Sequence, residues 1–185
     1  MRTSPALIAL GSNIGDRLAH LRAAADAIDE LDGVEVNQVS SLYESAPVGG
    51  PGGQDAFYNA ALTVTSVLPP DELLAALHRI EHTRGRERTV HWGPRTLDLD
   101  LLDFDGQVSD DPALLLPHPR LHERRFVLVP VCDVAADWTH AGLGTSMRQL
   151  LAAIPPEPGD LARLEGDWRE HDWHPPTERG EHPLS

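Results

Sequence analysis

The stretch from Thr96 to Phe104, TLDLDLLDF, admits few conformations. Leucines at 97, 99 and 101 alternate with aspartates at 98 and 100. In a β-strand this period of two sends the leucines to one face and both carboxylates to the other. The strand therefore belongs to a sheet with a defined core side. Its paired carboxylates lie close enough to repel, and arginine, a metal ion or water must reconcile them.

The surroundings favour a positive partner. Trp92, Gly93 and Pro94 form a stiff lead-in, and Arg95 stands next to the pair. Net charge is −14, yet all 15 basic residues are arginine. Arg79, Arg84, Arg86, Arg88, Arg95, Arg120, Arg124 and Arg125 fall in one stretch. Guanidinium forks match phosphate oxygens, so a local anion site is expected. The acidic balance argues against general nucleic-acid binding. Paired carboxylates are hard oxygen donors suited to Mg²⁺ bridging to phosphates. The pattern reads as a nucleoside-triphosphate site, although GxxxxGK[ST] is absent.

The 185 residues suffice for one domain with its own core. No run approaches the roughly 20 apolar residues of a membrane span. The N-terminal MRTSPALIALGSN reads as a first strand rather than a signal peptide. Cys132 is the single cysteine, so no internal disulfide forms and a reducing cytoplasm is expected. From Pro155 the chain turns rich in proline, acids and histidine. This divides it into a domain over 1–154 and a mobile or loosely docked tail over 155–185. The tail's His171, His174 and His182 match no strong metal-binding spacing, and Trp168 and Trp173 are candidates for packing.

Residues 6–10 (ALIAL) predict a buried strand. A helix follows, with Leu18, Leu21, Ala25, Ile28 and Leu31 on one face, Ser12 or Asn13 as its cap and Gly33 at its end. VEVNQVSSLYES predicts one strand, SAPVGGPGGQD a flexible loop and FYNAALTVTSV a third strand. LPPDELLAALHRIEHTRG predicts a helix opened by proline and closed by Gly85. After the acidic strand, DFDG predicts a hairpin turn into QVS. FVLVPVCDVA and SMRQLLAAI predict two more helices. The order βαββαβ is the ferredoxin-like α+β plan: a mainly antiparallel sheet with helices on one face, here with added C-terminal helices.

WGPRTLDLDLL, with ALGSNIGD before it and PHPRLHERRFVLVP after it, closely resembles the 6-hydroxymethyl-7,8-dihydropterin pyrophosphokinases of folate biosynthesis. The resemblance runs from about Ala6 to Trp138. It implies a ferredoxin-like, monomeric enzyme acting on two small molecules, ATP and the pterin, and needing neither nucleic acid nor membrane. Asp98 and Asp100 match aspartates that hold two Mg²⁺ ions on the ATP phosphates. Arg86 and Arg95 match arginines on the transferred phosphates, with Arg88, Arg124, His118 and Glu81 on the ATP side. Phe57 and Phe126 match two rings that sandwich the pterin, and Asn59 the amide that reads its edge. Ser45, Ala46, Pro47 and Val48 match a loop lining the same pocket. Trp92 matches a tryptophan that closes over the site.

Overall fold

The computed structural model describes residues 2–46, 56–85 and 96–175. The first strand, β1, is Ser4–Ser12, followed by helix α1, Arg17–Asp29. Leu18, Leu21, Ala25 and Ile28 are buried, as their spacing predicts. The cap differs from expectation. Ser12 ends β1, and the Asp16 carboxylate accepts from Ala19 N at 3.0 Å instead. Gly33 does not end the helix, which stops at Asp29. Its φ of +81° shapes the turn into the next strand, where an added Cβ would lie 2.3 Å from Val67 Cγ2.

The single strand expected over 34–45 is two: β2, Val34–Val39, and β3, Leu42–Ser45. Both pair with β4, Phe57–Ser66. Val39 lies opposite Leu62 and Tyr43 opposite Asn59, so four steps on one side meet three on the other. Ser40 absorbs the extra residue: its N–H donates to Ala61 O at 2.9 Å, and its hydroxyl accepts from Ala61 N at 2.8 Å. Such a bulge bends the sheet without leaving polar groups unpaired.

Helix α2, Pro70–Thr83, carries Pro70 in its first turn with Asp71 and Glu72 beside it, where the helix dipole favours acids. The acidic strand is β5, Asp98–Phe104. Main-sheet order is β5-β1-β4-β3, with β2 also on β4 and every pair antiparallel. This is the expected ferredoxin-like core.

β5 has its own bulge. Leu101 faces Ile8 and Asp103 faces Leu7, leaving Leu102 extra. Leu99, Leu101 and Phe104 therefore join the core beneath α1 and α2, while Leu102 joins a second core on the opposite face. That second core places the added C-terminal helices on the face opposite α1 and α2. It is built by α3, Arg125–Ala135, and α4, Met147–Ala152, against Leu7, Ala61 and Leu102. The turn after β5 forms, with Asp105 and Gly106 at positive φ. No hairpin with β5 follows it: β6, Ser109–Asp111, pairs with β7, Leu114–Leu116.

The tail expected to be mobile or loosely docked is, over 155–175, docked on the fold. A further strand, β8, Leu161–Leu164, adds antiparallel to β3. Trp168 is 1% exposed, and its indole N–H donates to Ser40 O at 2.8 Å. Arg22 of α1 donates to three carbonyls of the segment, those of Trp168, Glu170 and Trp173. Composition concealed this, because two tryptophans and one arginine far upstream do the anchoring. No helix among the described residues is long and apolar enough to cross a membrane.

Candidate active site

One corner of the sheet, on the face away from α1 and α2, carries five of the sequence-predicted residues: Ser45, Phe57, Asn59, Asp98 and Asp100. Register puts Asp98 opposite Gly11, Gly11 opposite Asn59, and Asn59 opposite Tyr43. In the adjoining row Phe57 lies opposite Ser45. Side chains two apart share a face, so Phe57 with Asn59 and Asp98 with Asp100 point to the same side as Ser45. Neighbouring strands lie about 4.8 Å apart, which sets Asp98 roughly 10 Å from Asn59 across β1.

Between them β1 contributes almost no side chain. Gly11 stands opposite Asp98 and Ala9 opposite Asp100. A Cβ at Gly11 would sit 3.6 Å from Asn59 Oδ1 and 3.8 Å from Phe57 Cδ1. Glycine here keeps the floor between the carboxylates and the amide open. Gly11 had no role in the sequence reading, although it lies within the ALGSN motif. Only the strand register reveals what it does.

Asn59 is 6% exposed and donates from Nδ2 to Ser45 Oγ at 2.7 Å. That bond fixes the amide's rotation and leaves its oxygen over Gly11. A buried amide held this way is a ready reader of a planar, hydrogen-bonding ring. Phe126 lies in the first turn of α3 and packs against the second core, on the same side of the sheet. The Arg124 guanidinium stands 5.5 Å from the centre of its ring, within cation–π range.

His118 closes the acidic side. Its backbone N–H donates to Leu102 O at 2.8 Å, tying it to β5. Its Nδ1 accepts from Arg120 N at 3.2 Å, and its Nε2 lies 3.8 Å from Asp100 Oδ1. Burial, then the Arg124 and Arg120 charges, hold its pKa below the ordinary histidine value against an opposing pull from Asp98. The neutral ring therefore carries its proton on Nε2, toward the carboxylate.

Glu81, on α2, meets β5 from the opposite face of the sheet. It is 3% exposed, and its carboxylate accepts from Leu99 N at 3.1 Å. It thus supplies an acceptor to a backbone N–H of β5, the edge strand of the main sheet. Arg17 was also missed. Its guanidinium donates to Glu44 Oε2 at 3.1 Å and Ala56 O at 2.7 Å, and stacks 3.8 Å from the centre of the Tyr58 ring. Glu44 pairs with Tyr58 on the back of the same sheet corner. Ala46 is the last described residue of its loop; Pro47, Val48, Arg86, Arg88, Trp92 and Arg95 lie outside the described residues.

Asp98 and Asp100 are the residues that could hold a divalent cation. No group of three or more His, Cys, Asp or Glu side chains forms a metal cage among the described residues. Two carboxylates on one face suit an ion that keeps waters and binds substrate phosphates in its remaining positions, as Mg²⁺ does.

Against known proteins, the family model for 7,8-dihydro-6-hydroxymethylpterin-pyrophosphokinase matches residues 7–136. The chain belongs to this family. A 2-amino-4-hydroxy-6-hydroxymethyldihydropteridine pyrophosphokinase of Bacillus subtilis is 46% identical over 129 residues, covering 70% of this chain and 77% of that one. One of Pseudomonas aeruginosa is 42% identical over 159 residues, covering 86% and 96%. Among solved structures, Plasmodium falciparum HPPK-DHPS with pterin and p-hydroxybenzoate superposes with a TM-score of 0.69 at 14% identity. It matches 89% of this chain, which spans 45% of that longer one. At that identity the likeness concerns the fold. Within the pyrophosphokinase family's matched span fall all the candidate site residues, while β8 and Trp168 lie beyond it.

Proposed function

We propose that this chain transfers the pyrophosphoryl group of ATP to the hydroxymethyl group of 6-hydroxymethyl-7,8-dihydropterin in folate biosynthesis, releasing AMP. Membership of the pyrophosphokinase family supports the reaction. The single observation that carries the site is the shared face. The carboxylate pair and the Asn59–Ser45 amide pair flank a strand stripped to Gly11 and Ala9. That face offers a metal–phosphate end and a flat-ring end about two strand spacings apart.

Roles follow from chemistry. Asp98 and Asp100 would hold Mg²⁺, two ions by the resemblance, and the cations would neutralise phosphate charge. Asn59, oriented by Ser45, reads the pterin edge, and Phe57 and Phe126 flank its ring. By the resemblance, Ala46, Pro47, Val48 and Trp92 also serve the pterin. His118 donates its Nε2 proton toward phosphate oxygens, and Arg124 stands beside it. Arg86, Arg88 and Arg95 neutralise the transferred group. The hydroxymethyl oxygen forms a bond to the β-phosphorus as the bond from that phosphorus to the AMP oxygen breaks; the hydroxyl proton is released. Such transfer depends mainly on positioning and charge stabilisation.

The test separates nucleotides after mixing protein, ATP, MgCl₂ and 6-hydroxymethyl-7,8-dihydropterin, beside an Asp98→Ala/Asp100→Ala double variant. AMP formed only with pterin, and only by the wild type, is the expected result. ADP as product would assign an ordinary kinase instead.

A further inference from the structure

The C-terminal segment beyond the family match meets the site's framework at two points, through adjacent residues. Leu161 lies opposite Ser45 in the β3–β8 ladder. Its neighbour Asp160 accepts from Arg125 Nε at 2.8 Å, and the two side chains are 27% and 21% exposed. Ser45 holds the Asn59 amide, and Arg125 directly precedes Phe126. One dipeptide thus bridges the strand that orients the ring-edge reader and the helix start that carries a ring-flanking phenylalanine.

The bridge has its own foundation. Arg163 Nε donates to Ser41 Oγ at 3.2 Å, Trp168 Nε1 donates to Ser40 O, and Arg169 pairs with Asp26 at 3.0 Å. These contacts, with the Arg22 bonds, dock the segment on α1 and the β2–β3 bulge independently of Asp160. The Asp160–Arg125 contact is then not needed to keep the segment in place. What it fixes is the position of the first turn of α3 relative to β3.

We propose that Asp160 is a positioning residue for the pterin side of the site, setting Phe126 against Asn59 through Arg125. This rests on the pterin reading above. A ring held between side chains loses affinity when one wall is left loose, because ordering it is then charged to binding. The ATP-side carboxylates on β5 and His118 lie across the floor and are untouched by this contact; Arg124, which caps α3 beside Arg125, shares it, so a smaller rise in ATP KM accompanies the pterin effect.

The test is steady-state kinetics on the full chain for Asp160→Ala, Asp160→Asn and Asn59→Ala, with the melting temperature of each. Asp160→Ala should raise pterin KM roughly fivefold or more, with ATP KM and kcat within about twofold. Asp160→Asn keeps an oxygen acceptor for Arg125 and should recover most of that loss. A lowered melting temperature with unchanged pterin KM would make the segment a stability clasp and overturn the proposal. Equal rises in both KM values would overturn it too. Asn59→Ala separates the two readings. If it raises pterin KM while Asp160→Ala does not, the site stands and the brace falls. If neither does, the placement of the pterin itself fails.

Discussion

Gly11 shows how much one missing side chain can decide. Its backbone pairs with Asp98 on one side and Asn59 on the other, and the space above it connects the two ends of the site. An added methyl would meet Asn59 Oδ1 and Phe57 Cδ1 at ordinary van der Waals distance, 3.6 and 3.8 Å. Gly11→Ala should therefore fold with a melting temperature within a few degrees of wild type. It should nevertheless raise pterin KM, and Gly11→Val should raise it further, because the new atoms occupy the floor. The check is KM for each substrate alongside thermal melting; a pterin KM indifferent to both variants would move the ring elsewhere. Asn59 belongs to the same argument. Its Nδ2–Ser45 bond restricts the amide before any ligand arrives, which lowers the entropy that binding must remove.

Elements carry the second kind of information, and here legibility from sequence divides cleanly. The acidic strand was readable because Leu97, Leu99 and Leu101 against Asp98 and Asp100 obey a strict period of two. Helix α2 was readable because proline, acids and Gly85 mark its ends. What escaped were features whose cause lies in another element. The break of one expected strand into β2 and β3 depends on Ser40 bonding both ways to Ala61. The flip after Leu101 depends on β1 register. The burial of Glu81 against Leu99 N escaped as well, because it requires β5 to be in place. Glu81→Ala should leave that N–H unpaired and cost about 1–3 kcal/mol, whereas Glu81→Gln retains an acceptor and should cost much less. Urea midpoints read the difference. An ATP KM raised by Glu81→Gln at unchanged stability would support the ATP-side role that the resemblance implies. At the start of α1, Asp16→Ala should cost about 1 kcal/mol through the lost cap on Ala19 N.

At the scale of the whole molecule, two cores on opposite faces of one sheet divide the labour. The core under α1 and α2 buries Tyr58, Leu99 and Leu101 behind the site, and the core under α3 and α4 packs against Phe126. The C-terminal segment ties into both α1 and the start of α3, so Trp168→Ala, which empties a fully buried indole site, should cost about 3–5 kcal/mol by chemical denaturation.

The connection between α3 and α4 contains a pH-dependent element. His140 is 5% exposed, and its Nδ1 accepts from Gly142 N at 3.2 Å and Leu143 N at 3.0 Å. Its proton must then lie on Nε2, which is buried without a hydrogen-bond partner. The His122 ring stands edge-on, 5.8 Å away between centroids. Burial first, and the neighbouring His122 second, hold the His140 pKa below its ordinary 6.5. A second proton would have to enter at Nδ1, displacing both backbone donors. Below pH 6.5 the unfolded chain binds this proton before the folded one does. Stability should therefore decline as pH falls from about 7 through 6.5 and level off once the folded histidine protonates. His140→Asn keeps an acceptor for the two N–H groups and removes the titration. His20 and His118 are also depressed by burial, so part of the decline should remain in the variant. The comparison is the urea midpoint at pH 7.5 and pH 5 for wild type and His140→Asn. A smaller drop in the variant assigns the difference to His140, and identical drops would show that this ring takes no part in the acid sensitivity.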